Sequence, residues 1–70
     1  MRQLTSTEVA KFAARPGVRK VAVMNFLGTL GEAGSTRGEL RNLYADAQSY
    51  RWNVATIKAI EAGIKLAYKL

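Results

Sequence analysis

Val18-Arg19-Lys20-Val21-Ala22-Val23-Met24-Asn25-Phe26-Leu27 is the stretch whose reading decides the fold. At 100° per residue its apolar members (Val18, Val21, Ala22, Val23, Met24, Phe26 and Leu27) surround the axis almost completely. A helix that is apolar all round sits centrally in a core or is buried at an interface. At 180° per residue the same letters read as a strand, with Val21 and Val23 at period two. The neighbours favour the helix, because both flanks carry long helical signals and a single strand would have no partner within its own chain. The expected fold is therefore all-α, a compact bundle of about four short helices forming one domain over residues 1–70. A strand over residues 19–26 is the alternative, and it would have to pair with a second copy.

Upstream, Thr5 followed by Glu8 makes a capping box, in which each side chain satisfies the other residue's backbone N–H. Leu4 and Val9 supply the accompanying hydrophobic staple. Val9, Phe12 and Ala13 share a face, and Pro16-Gly17 closes the segment. Downstream, Thr36 with Glu39 reads as a second capping box, opening a helix whose apolar stripe is Leu40, Leu43, Tyr44 and Ala47. Arg37 and Arg41 lie one turn apart on it. A last helix starts at Asn53, a strong N-cap, with Trp52 and Ile57 as its staple. Val54, Ile57, Ile60, Ile64 and Tyr68 then run down one side at spacings of three and four.

Composition removes most chemistries. With neither Cys nor His, no zinc finger, iron–sulfur site or Cys/His catalysis is possible. Glu8 and Glu39 are taken up as caps, so the five carboxylates leave no evident acid/base pair. Gly28-Thr29-Leu30-Gly31-Glu32-Ala33-Gly34 lacks the Lys-Ser/Thr that ends a phosphate loop. The expectation is a protein that is not an enzyme and carries no cofactor and no metal. The longest apolar run, Val21 to Leu30, is interrupted by Asn25, Gly28 and Thr29 and falls far short of the roughly 18–20 residues that span a bilayer. The residues before it read as a capped helix rather than a charged leader, so a cytoplasmic location is expected.

The charges point toward polyanions. Eleven Lys and Arg against five Asp and Glu give a net charge of +6, which suits nucleic acid. Lys11 and Arg15 lie one turn apart, and Arg19 and Lys20 follow across the Pro16-Gly17 turn, so four cations converge on one corner. Lys58, Lys65 and Lys69 fall within about 40° of each other on the helical wheel. Ala55, Ala59 and Gly63 form a small-residue ridge on the same helix. Ordinary packing inside the monomer explains that ridge best, with a seam between copies as the alternative.

Two families share parts of this pattern. Val9-Ala10-Lys11-Phe12-Ala13, then Gly17 to Leu27, resembles the helix-turn-helix of bacterial repressors, V-A-x-x-A-G-V-S-x-x-T-V-S-R-x-L, with three extra residues (Ala14-Arg15-Pro16) in the turn. That resemblance implies that Arg19, Lys20 and Asn25 face DNA. The order strand, helix, turn, helix over residues 19–26, 36–49 and 53–70 is similar to ribbon-helix-helix dimers, and it implies a two-chain ribbon in the groove.

The expected function is a small DNA-binding, regulatory module that contacts phosphates through Lys11, Arg15, Arg19, Lys20, Lys58, Lys65 and Lys69, with Asn25 beside them. It is expected to be a homo-oligomer, with Val21, Met24, Ala55, Ala59 and Gly63 as interface residues. The competing expectation is a protein-interaction or assembly module with no nucleic-acid role, motivated by the apolar second segment and the small ridge.

Overall fold

The computed structural model describes residues 1–69. It contains four helices: α1 (Ser6–Ala13), α2 (Lys20–Gly28), α3 (Thr36–Tyr50) and α4 (Val54–Tyr68). Residues 19–26 are not a strand: α2 begins at Lys20, and it buries Val23 completely while leaving Val21 69% exposed, although a period-two segment would put the two on one face. The Cα radius of gyration, 10.7 Å, matches the roughly 11 Å expected for a single domain of this length. Among the described residues, no helix is long and apolar enough to cross a membrane.

The centre of the bundle is α4, which touches all three other helices, while α1 packs on α2. The central place expected of the second segment therefore belongs to the fourth. Two small residues on α4 explain this. Ala59 is fully buried, and a Cβ added at Gly63 would come within 2.5 Å of Leu27 Cδ2. The ridge lets Leu27 of α2 lie against the α4 backbone, and Ala55 at its upper end is near enough to the turn that a Cβ added at Gly17 would meet it at 3.6 Å. Ala59 and Gly63 are consumed inside the monomer, so their expected role between copies is corrected. Around this seam the core gathers Val9, Val23, Leu43, Ile60 and Ile64, with Leu4, Phe12, Phe26 and Trp52 packed at its edges.

Gly63 and Gly28 should therefore respond in opposite ways to the same change. At Gly28 a Cβ meets nothing within 4 Å, and alanine improves helix propensity by up to about 1 kcal/mol. At Gly63 the clash with buried Leu27 costs about 1–3 kcal/mol and outweighs that gain. Urea midpoints should rise for Gly28→Ala and fall for Gly63→Ala, and Leu27→Val should soften the second effect.

The caps fix the helix starts. Thr5 and Glu8 form the full capping box, with Glu8 N–H donating to Thr5 Oγ1 at 3.1 Å and Thr5 N–H to Glu8 Oε1 at 2.9 Å. At α3 the capping differs from expectation. The N-cap is Ser35, whose Oγ accepts from Gly38 N–H at 3.0 Å. Glu39 does not reach back to the cap. It is 3% exposed, and its Oε2 accepts from Gly31 N–H at 2.6 Å and from the Tyr68 hydroxyl at 3.0 Å. One carboxylate thus ties the α2–α3 loop and the end of α4 to α3. Gly31 holds its side of the knot at φ +112°, a conformation that disfavours any residue with a side chain. Burial and the bond to Glu39 raise the Tyr68 hydroxyl above its ordinary pKa.

The N-terminal strap adds a pH dependence. Arg2 N–H donates to the Ala67 carbonyl at 2.8 Å, and its guanidinium grips both oxygens of Glu8 at 2.8 and 2.9 Å. The Arg2 hydrogen bonds, then the Thr5 N–H, hold the Glu8 carboxyl at about 2 against an ordinary 4.5. A value lowered by folding stabilises the fold above the unfolded pKa, and that contribution is lost as pH falls from about 4.5 toward 2. Glu8→Gln should lower the urea midpoint at neutral pH and converge with the parent chain near pH 2. Parallel curves across that window would contradict the strap.

Candidate nucleic-acid interface

The cations are best located from the α3–α4 hairpin outward. A three-residue connection at 51–53 joins the two helices. Glu61 Oε2 accepts from the Tyr44 hydroxyl, and Glu39 pairs with Tyr68 at the far end, so the helices run antiparallel. On α3, Arg37, Arg41, Tyr44 and Gln48 fall within a sector of about 60°, well away from buried Leu43 and Ala47. Because Tyr44 reaches Glu61, that sector opens on the outer side of the hairpin. On α4, Lys58 and Lys65 lie opposite the buried Ile60, Gly63 and Ala67, beside Glu61. The pairing of Tyr44 with Glu61 puts Arg41 level with Lys65, and Lys58 level with Gln48. Four exposed cations from two helices therefore share one face.

Arg51 and Lys69 stand at the two ends of the hairpin, each in the left-handed C-cap position of its helix, at φ 55° and 57°. Lys69 thus lies just past the helical stripe that its spacing predicts. The only acid on the face is Glu61. Its bond to Tyr44, followed by desolvation and the carboxylate charge, raises the Tyr44 hydroxyl above its ordinary pKa. Among the described residues the only ion pair is Arg2 with Glu8, so the face keeps a net positive charge. Tyr44, half exposed, is a flat ring in its middle.

The corner cluster expected at the α1–α2 turn is divided. Arg19 donates its backbone N–H to Thr56 Oγ1 at 2.9 Å and its guanidinium to the Tyr50 carbonyl at 3.2 Å. It caps the C-terminal end of α3, where a cation is favoured. Lys20 and Asn25 line the same groove as Arg19, whereas Lys11 and Arg15 do not. The Arg15 guanidinium lies over the Phe12 ring, 5.2 Å from its centroid.

That groove, about 1040 Å³, lies between α2 and α3, whose backbones stay apart. Phe26 and Trp52 meet edge to face in it, and Tyr50 stacks on Trp52 at 5.7 Å. Three of the five carboxylates, Glu32, Glu39 and Asp46, line it. Acid on the groove side of α3 and base on its outer side give the hairpin a charge polarity. Val21 stands at the groove rim, 69% exposed, and Met24 is 43% exposed.

Arg37, Arg41 and Arg51 are the residues that sequence reasoning left out of the candidate interface. The spacing of Arg37 and Arg41 was a usable signal, but only the hairpin register shows that they join the α4 lysines. Comparison of the chain with protein-family models, with curated proteins and with solved structures finds no match.

Proposed function

We propose that this chain is a non-enzymatic module that binds nucleic acid through the outer face of the α3–α4 hairpin. The observation that carries the reading is the juxtaposition of Arg37, Arg41, Lys58 and Lys65, with Arg51 and Lys69 at the ends and one acid held by Tyr44. Such a face neutralises phosphates, and release of their counterions drives the association. Regularly spaced cations on two packed helices suit a phosphate backbone, with Tyr44 and Gln48 as the uncharged polar side chains among them. Lys11 and Arg15 stand outside the hairpin, on α1 and the turn after it, and add to the attraction. Arg19, Lys20 and Asn25, which the repressor resemblance places on DNA, are assigned to the groove instead.

The test is a salt titration of binding to a labelled duplex of random sequence. Four phosphate contacts give a slope of about −4 in log affinity against log salt. Absence of binding at low salt would overturn the reading. In that case the second reading, a protein-assembly module, gains ground from the aromatic-floored groove beside exposed Val21.

A further inference from the structure

Residues 21–31 carry no charge at all in a chain of net charge +6, and α2 leaves much of this segment uncovered. Its groove-side surface comprises Val21, Ala22, Asn25, Phe26 and Thr29, all lining the open space beside α3. The charges bracketing this surface have opposite signs. Arg19 and Lys20 stand at the N-terminal end of α2, and Glu32 lies just beyond its C-terminal end, and all three line the same groove. A helix with base at one end, acid at the other and only uncharged residues between is complementary to its own antiparallel copy.

We propose that two copies of this chain associate through α2, each α2 lying antiparallel in the groove of the other on a twofold axis at Asn25. Such a contact is isologous, since every pair across it occurs twice. With Asn25 on the axis, Val21 faces the partner's Thr29, and Lys20 faces the partner's Leu30–Glu32 segment. The cation therefore meets an acid together with the C-terminal end of a helix, both favourable to it. In section the order of helices becomes α3, partner α2, α2, partner α3, which fills the space that keeps α2 and α3 apart in one copy. The amide of Asn25, on a surface that otherwise carries only uncharged groups, can pair with its twin and fix the register. Ala22, Asn25 and Thr29 are small enough for two helix axes to approach closely. The basic face of the α3–α4 hairpin lies on the other side of α3 and stays open, so the association is independent of nucleic-acid binding.

The experiment is sedimentation equilibrium of the full chain without nucleic acid, from about 10 µM to about 1 mM, the range in which small interfaces dissociate. The parent chain should move from monomer to dimer across it. Lys20→Glu and Glu32→Lys should each weaken the dimer at least tenfold. Val21→Glu, at an exposed position that the monomer does not need, should weaken it at least as much. Combining Lys20→Glu with Glu32→Lys restores both ion pairs with their signs exchanged and should return the dimer to within about threefold of the parent. A monomer at every concentration overturns the proposal. So does a dimer that Lys20→Glu and Glu32→Lys weaken additively, with no restoration in the combined variant. Circular dichroism of each variant separates loss of fold from loss of association.

Discussion

Replacing Arg41 and Lys58 together by glutamine should weaken duplex binding about thirtyfold at low salt and reduce the salt slope by about two. The magnitude follows from about 1 kcal/mol for each basic residue held near an anionic surface. Both residues are exposed and come from different helices of the same face, and the described residues give neither an ion-pair partner. Neither stands in the last turn of its helix, so the substitutions leave the helix termini as they are. The matched control is Lys11→Gln with Arg15→Gln, which removes the same net charge from α1 and the turn after it. That pair should cost less than threefold and leave the slope within half a unit, because its charges stand on α1 and the turn after it and not on the hairpin. Equal losses from the two pairs would mean that binding follows net charge alone, and the hairpin face would lose its special standing.

The comparison of the two pairs bears on what could be read before the fold was known. Thr5 with Glu8 and Asn53 were legible as caps because a cap is a local device, made among residues three apart. Glu39 was misread for the complementary reason. Its spacing from Thr36 imitates a capping box, but Tyr68, 29 residues away, and Gly31 claim the carboxylate, and Ser35 takes the cap. The segment Val18 to Leu27 could be recognised as helix from Lys20 onward, yet an apolar pattern all round the axis cannot say which helix lies at the centre. Gly63 answers that question, since only a residue without a side chain lets Leu27 approach so closely. The basic face was half legible. Each helix displays its own cations at the right spacing, but their union depends on the register set by Tyr44 and Glu61, a contact between residues 17 apart.

Thr56→Val should be among the most destabilising single changes at a polar position, at about 2–3 kcal/mol. Thr56 is fully buried at the start of α4, and its hydroxyl serves two partners. It accepts from the backbone N–H of Arg19 at 2.9 Å and donates to Asn53 Oδ1, which also caps Thr56 N–H at 3.2 Å. The Asn53 amide donates in turn to the Gly17 carbonyl at 2.7 Å. Asn53 and Thr56 thereby fasten the α1–α2 turn to the N-terminus of the central helix, and they do so where the chain enters α2. Valine keeps the shape of threonine but orphans the Arg19 N–H, and a partly buried donor left without a partner costs the desolvation penalty in full. For a domain of this size the loss corresponds to a fall in Tm of roughly 10–20 °C. Thr56→Ser keeps the hydroxyl and gives up one buried methyl, which costs about 1 kcal/mol. Asn53→Asp keeps the cap but has no donor for Gly17, so it should fall below the parent chain and above Thr56→Val. That order (parent, then serine and aspartate, then valine) is specific to a hydrogen-bonded knot. If the site were held by packing alone, valine would match the parent and serine would be the worst of the three.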